Sequence, residues 1–165
     1  MLDDFSRYIV TWRLGPTMCA SDVTATLDQA LAASGLDHVT QRPRLLSDNG
    51  SSYVADDLAT WLKGKDMQHV RGAPYHPQTQ GKIERWHQTL KNRILLDNYY
   101  LPGDLERQIG AFVEHYNHVR YHESIDNLTP ADVYFGRADA IIAERQHIKR
   151  ATIANRRLQH RLQAA

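Results

Sequence analysis

Between Pro43 and Val70 the chain sets a short apolar run, a stretch of helical period and a second short run one after another. Pro43-Arg44-Leu45-Leu46-Ser47 is short and apolar and reads as a buried strand, and Met67 to Val70 reads as another. Ser51 or Ser52 opens a helix between them, with Val54, Leu58, Trp61 and Leu62 at helical spacing and Gly64 near its end. Short strands alternating with amphipathic helices bury their apolar faces only in a layered α/β architecture.

The flanks extend this pattern. Tyr8 to Leu14 (YIVTWRL) is β-branched and aromatic, is closed by Gly15-Pro16, and predicts a strand. The preceding MLDDF predicts the end of another, with Asp4-Phe5-Ser6-Arg7 as the turn. Ser21 or Asp22 suits the cap of a helix running to about Ser34, with Val23, Leu27, Ala30 and Leu31 on one face and Gly35 past its end. Arg71 to Gln80 has two prolines and no period, which predicts an irregular loop. Three helices follow: Gly81 to about Asn98 with an apolar stripe at Ile83, Trp86, Leu90 and Ile94, Pro102 to about Tyr121, and Asp139 to Gln163. The expected class is α/β, a small mixed sheet with flanking helices.

Composition narrows the function. With 42% hydrophobic and 24% charged residues, the 165-residue chain carries enough apolar side chains for a core. A single cysteine, Cys19, excludes an intramolecular disulfide framework and a Cys-rich zinc module. No apolar run approaches the roughly 18–20 residues of a membrane span. The start MLDDFSRYIV carries acids and no basic lead, unlike a signal peptide. A soluble, cytoplasmic protein with no membrane partner is expected. The formal charge of +1 hides a split: residues 1–70 hold six basic and nine acidic side chains, residues 71–165 fourteen and ten. Arg145, Lys149, Arg150, Arg156, Arg157 and Arg161 stand against Glu144 alone in residues 140–165, which suits a polyanionic partner or a solvated helix end.

Two carboxylates stand where chemistry is expected. Asp48 follows a buried strand and precedes a tight turn, at the strand end where open α/β sheets bind ligands. The same Asp-Asn-Gly run also suits plain turn chemistry. Glu84 lies on the predicted helix next to the apolar stripe, sharing a face with Gln88 and Lys91, a pattern that also suits a solvated face with Glu84–Gln88 and Gln88–Lys91 contacts. Thirty-five residues separate Asp48 from Glu84, Lys91 follows the Glu by seven, and Pro74-Tyr75-His76-Pro77-Gln78 and Gly81 precede it.

With these motifs in order, the sequence resembles the retroviral-integrase-like catalytic core of bacterial insertion-sequence transposases, the Asp-Asp-35-Glu type. DDFSRYIV is similar to that family's second-strand motif and Leu128-Thr129-Pro130-Ala131-Asp132-Val133-Tyr134 to its C-terminal Thr-Pro motif, so the resemblance covers roughly residues 1–136. It implies an RNase H-like fold and a function in DNA integration and transposition, by Mg²⁺-dependent strand cleavage and transfer. It implies Asp48 and Glu84 as catalytic metal ligands for Mg²⁺ or Mn²⁺, and Lys82, Arg85 and Lys91 as phosphate contacts beside Tyr75, His76 and Gln78, which position a strand end. Two divalent cations held by carboxylates stabilise the attacking and leaving oxygens of an in-line displacement. The family's first catalytic Asp lies on a first strand upstream of the DDFSR-like motif. The expectation is therefore a core over residues 1–136 short of that strand, followed by a basic helical tail over 137–165. Such a chain is expected to hold metal weakly and to be inactive alone. The alternative is a non-catalytic, DNA-binding or multimerising remnant. The implied partners are DNA and either further copies of the chain or a full-length transposase, in a bacterial cytoplasm and at the nucleoid when bound to DNA.

His115, His118 and His122 share one side of a predicted helix and its extension, a spacing that suits either a transition-metal site or a polar stripe packed on the core.

Overall fold

The computed structural model describes residues 1–36, 39, 42–72 and 81–163. In order, the elements are α1 (Ala20–Ser34), β1 (Leu45–Ser47), α2 (Ser51–Val54), α3 (Asp56–Gly64), β2 (His69–Arg71), α4 (Gly81–Ile94), α5 (Pro102–His118), a 3₁₀ turn (Glu123–Ile125), α6 (Pro130–Tyr134) and α7 (Ala138–Gln163). β1 and β2 pair in parallel, with Leu45 opposite His69 and Ser47 opposite Arg71. Their connection runs through α2 and α3, as a parallel crossover requires.

Two apolar clusters hold these elements. Leu27 and Leu31 of α1, Leu45 of β1, Leu58 and Leu62 of α3 and Met67 form the first. Ile9, Trp86 of α4, and Ile109, Val113 and Tyr116 of α5 form the second, with Leu2 and Trp12 packed against it. The N-terminal hairpin thus sits on the α4–α5 pair.

Several expected boundaries shift. The strand predicted over Tyr8 to Leu14 reduces to a single antiparallel bridge, Leu2 to Ile9. The turn at Asp4-Phe5-Ser6 forms as expected, with Asp3 N–H donating to Tyr8 O at 2.8 Å and Ser6 N–H to the Asp3 carboxylate at 2.7 Å. Beyond it, the ladder's place at Ile9 is taken by one side chain. Asn117 Oδ1 accepts Ile9 N–H at 2.9 Å and Asn117 Nδ2 donates to Ile9 O at 3.0 Å.

The first helix starts before Ser21. Cys19 is its N-cap, and the Asp22 carboxylate accepts the Cys19 N–H at 3.2 Å and the Thr17 hydroxyl at 2.6 Å. Those hydrogen bonds hold the Asp22 carboxyl down at about 2. Gly35 ends α1 at φ 67, a left-handed position that favours glycine. The helix expected over residues 51–64 breaks at Ala55, which is extended, because Asp56 and Asp57 suit a fresh helix start. The α4 helix stops at Ile94 rather than Asn98, and α5 stops at His118 rather than Tyr121. Thr129 caps α6, accepting the Asp132 N–H at 3.2 Å, with Pro130 at the first helical position.

α7 buries none of its side chains. Arg145 ties it to the preceding segment, donating to the carbonyls of Asp126 and Asn127 at 3.2 and 3.0 Å and standing over the Tyr121 ring. No helix among the described residues is long and apolar enough to cross a membrane.

His122 packs edge-on against Tyr116, with ring centroids 4.7 Å apart. Burial, then the charges of Arg120 and Arg7, push its pKa from 6.5 down to about 4. Between those values the unfolded chain takes up a proton that the folded chain refuses, so stability falls as pH drops from about 6.5 toward about 4. Denaturant unfolding across that window should show His122→Gln losing less stability than the parent. Equal losses would mean His122 does not contribute.

Candidate metal and nucleic-acid site

β1 delivers Asp48 directly after its last residue, with the side chain exposed. Asp48 Oδ1 accepts the Gly50 N–H at 2.9 Å, so the turn chemistry expected of Asp-Asn-Gly is present and holds the carboxylate. Its Oδ2 accepts nothing from the described residues. A side chain at Gly50 would crowd this arrangement, since a Cβ there would lie 3.0 Å from Asp48 Oδ1. The loop is tied to the end of β2: Asn49 Nδ2 donates to Gly72 O, and Gly72 N–H donates to Ser47 O, each at 2.9 Å.

Two neighbours of Asp48, His69 and Tyr53, escaped the sequence reading. The Ser47 hydroxyl donates to the Asp48 carbonyl at 2.8 Å, so its 2.8 Å contact with His69 requires His69 Nε2 to carry the proton and donate. Burial, then the Arg71 charge, lowers the His69 pKa and favours this neutral ring. Tyr53 stands close enough to Asp48 that the carboxylate, after burial, raises its pKa. A cavity of about 540 Å³ opens alongside, with Tyr53, Lys63, Asp66, His69 and Arg71 among its lining residues. A signal for His69 and Arg71 was available, because alternation along a strand puts both on one face.

Glu84 lies in the first turn of α4, where the helix dipole favours a carboxylate. It is exposed and has no hydrogen-bond or ion-pair partner among the described residues. The Glu84–Gln88 and Gln88–Lys91 contacts that would mark a self-satisfied face do not form. Gln88 donates to Asn92 instead, at 2.8 Å. Trp86 anchors the opposite face, buried to 7% exposure. Arg85 and Lys91 are exposed and without acidic partners among the described residues. Lys82 is engaged: its ammonium lies 2.8 Å from the Asp4 carboxylate and donates to the Asp4 carbonyl at 2.7 Å. A phosphate reaching Lys82 would compete with that surface pair, which is of a kind worth about 0–1 kcal/mol.

Tyr75, His76 and Gln78 lie outside the described residues. Among the described residues no group of three or more His, Cys, Asp or Glu side chains is arranged to hold a metal ion. The histidine trio accordingly does not converge: His118 faces Glu114 at 3.8 Å, while His122 packs on Tyr116.

Two family models described as integrase core domain match this chain, one over residues 1–77 and the other over residues 65–130. The chain belongs to the integrase core family. This integrase core is 33% identical over 109 residues to the Pol polyprotein of equine infectious anemia virus (strain Wyoming), covering 65% of this chain and 9% of the relative. It is 34% identical over 94 residues to the Gag-Pro-Pol polyprotein of squirrel monkey retrovirus, covering 56% of the chain and 5% of the relative. The chain therefore spans only a small part of these curated relatives. Among solved structures, the BIV integrase catalytic core domain aligns with a TM-score of 0.55 at 26% identity, over 79% of this chain and 80% of that one. The catalytic core domain of HTLV-2 integrase in complex with magnesium aligns with a TM-score of 0.61 at 18% identity, over 81% and 80%. The fold of this integrase core is accordingly the RNase H-like α/β fold expected from sequence.

Proposed function

We propose that this integrase core is the catalytic-core segment of a DNA strand-transfer enzyme of the insertion-sequence type, with Asp48 and Glu84 as its metal ligands. One observation carries the reading: an exposed Asp at the exit of β1 and an exposed Glu in the first turn of α4, with 35 residues between them, in an integrase core. Asp48 Oδ2 and both Glu84 oxygens have no partner among the described residues, and a hard cation such as Mg²⁺ or Mn²⁺ takes such oxygens, so the donor set fits. When bound, the cation stabilises charge building on the attacking and leaving oxygens of a phosphodiester.

The chain's own residues do the rest. The Gly50 N–H orients Asp48, while Arg85 and Lys91 draw phosphates toward the Glu84 side of α4. Tyr75, His76 and Gln78 are proposed to position the strand end. The basic residues of α7 are proposed to add non-specific DNA affinity as a tail beyond the core. Further copies of the chain or a longer transposase are the proposed protein partners.

With no group of three or more ligating side chains arranged for a metal ion among the described residues, these 165 residues alone are proposed to bind metal weakly and not to join DNA. The second reading, a non-catalytic DNA-binding or multimerising remnant, rests on the same observation. Two measurements test this. Mn²⁺ should broaden the NMR signals of Asp48 and Glu84 selectively, and Asp48→Ala should abolish the broadening at Glu84; indifference of both residues to Mn²⁺ would remove them as ligands. The purified chain incubated with Mg²⁺ and labelled duplexes should bind without joining. Robust joining that Asp48→Ala abolishes would overturn the proposed inactivity.

A further inference from the structure

The longest helix among the described residues is also the least covered. α7 buries none of its side chains, and the face it turns toward Asp126 is marked by Ile142, Arg145, Gln146 and Lys149, which with Asp126 line a groove of about 280 Å³. A second stripe runs along α7, about a third of a turn round the helix from that face. Ile148, Ala151, Asn155, Leu158 and Leu162 follow one another at steps of three, four, three and four residues, the spacing of a coiled-coil seam, and Ile141 and Glu144 continue it toward the N-terminus. Ile148, Leu158 and Leu162 stand 54%, 55% and 70% exposed. Charge is graded along the same helix. Asp139 and Glu144 lie near its start, whereas Lys149, Arg150, Arg156, Arg157 and Arg161 follow with no acid between Ile148 and Gln163. Glu144 and Arg161 have no ion-pair partner among the described residues.

An apolar seam on a solvated helix loses its contact with water when a second helix covers it. The charges decide which helix, and in which direction. A parallel copy of α7 would set the basic stretch of one helix against the same stretch of the other, and Glu144 against Glu144. An antiparallel copy sets the acidic start of each helix against the basic end of the other. We propose that α7 pairs antiparallel with the α7 of a second copy of this chain. In that pairing Ile148 packs opposite Leu158 of the second copy, and Ala151 opposite Asn155, where the small alanine leaves room for the amide. Glu144 then falls beside Arg161 of the second copy, and the two-fold symmetry makes that pair twice. Lys149, Arg150, Arg156 and Arg157 lie off the seam and stay open to a polyanion. The inference rests on the reading above for its partner, a further copy of the chain, and neither Asp48 nor Glu84 takes part.

The test is sedimentation equilibrium of the full chain over a range of concentrations. The parent should dimerise, and Leu158→Gln, a change at an exposed side chain, should weaken the dimer by about tenfold or more. Ile153→Gln, on the opposite side of α7, should leave it unchanged. Glu144→Arg should weaken the dimer by about fivefold. Adding Arg161→Glu should restore the parent affinity, because antiparallel helices bring positions 144 and 161 together. Adding Arg150→Glu instead, which makes the same change in net charge off the seam, should not. A parent that stays monomeric, or a dimer indifferent to Leu158→Gln, overturns the pairing. Restoration by Arg150→Glu as readily as by Arg161→Glu, or by neither, overturns the antiparallel register. Mn²⁺ broadening at Asp48 and Glu84 should persist in Leu158→Gln, so failure of the pairing is visible apart from failure of the metal-site reading.

Discussion

Asn117→Ala is expected to destabilise the integrase core by several kcal/mol, among the largest effects of any polar substitution in this chain. Asn117 is 2% exposed, and its amide satisfies both backbone groups of Ile9. Removing it leaves a buried N–H and a buried C=O without partners, each costing about 1–3 kcal/mol. Against a typical domain stability of about 5–15 kcal/mol, that is a large fraction. Asn117→Asp is expected to cost at least as much near neutral pH, because the buried carboxylate repels the Ile9 carbonyl and must shed its hydration or take up a proton. Urea unfolding should show a lower midpoint with the slope preserved. A midpoint shift worth under about 0.5 kcal/mol would mean that water replaces the amide, and the bridging role would fall.

Trp86→Ala is the second large effect, and it reaches the proposed chemistry. Trp86 is the one buried residue of α4, joining Ile9, Ile109, Val113 and Tyr116 in the second cluster. Truncating a buried tryptophan typically costs about 3–5 kcal/mol. The loss falls on the helix that carries Glu84, Arg85 and Lys91, so hydrogen-exchange protection of α4 should drop before that of α1 and α3, which belong to the other cluster. Trp86→Phe discriminates between packing and hydrogen bonding. The indole Nε1–H is buried without a partner, so losing it removes no bond. The phenylalanine variant should therefore keep α4 protected, at a cost nearer 1 kcal/mol than 4. Equal loss in both variants would contradict the assignment of Trp86 as a packing anchor.

Much of this architecture was legible from local patterns. Leu27, Leu31, Leu58 and Leu62 fall on the faces that their spacing predicts, and Gly35 ends α1 in the left-handed conformation expected of it. Asp48 leaves a strand and Glu84 rides a helix, as the motif spacing implied. What could not be read depends on partners distant in sequence. Tyr8 to Leu14 has strand composition, but composition does not reveal that a side chain from α5 substitutes for a neighbouring strand. Lys82 has the look of a free cation, yet its partner is Asp4, 78 positions away. The break at Ala55 had a local signal in Asp56-Asp57 that the uninterrupted apolar period outweighed. At the site, Ser47 and His69 meet across the parallel pair, and their proton arrangement follows only once that pairing is in place.

The Asn117–Ile9 bridge also bears on the order of events during synthesis. The two residues are 108 positions apart, so residue 9 leaves the ribosome long before its clamp exists. Closing so long a loop carries an entropic cost that only the completed α5 and its apolar face can offset. Until then the first cluster, built from residues 27–67, has all its parts and can form, while the hairpin's Leu2, Ile9 and Trp12 remain uncovered. A ribosome stalled before α5 has emerged would therefore display a chain whose middle is protease-resistant and whose earliest residues are still open to cleavage or to chaperones.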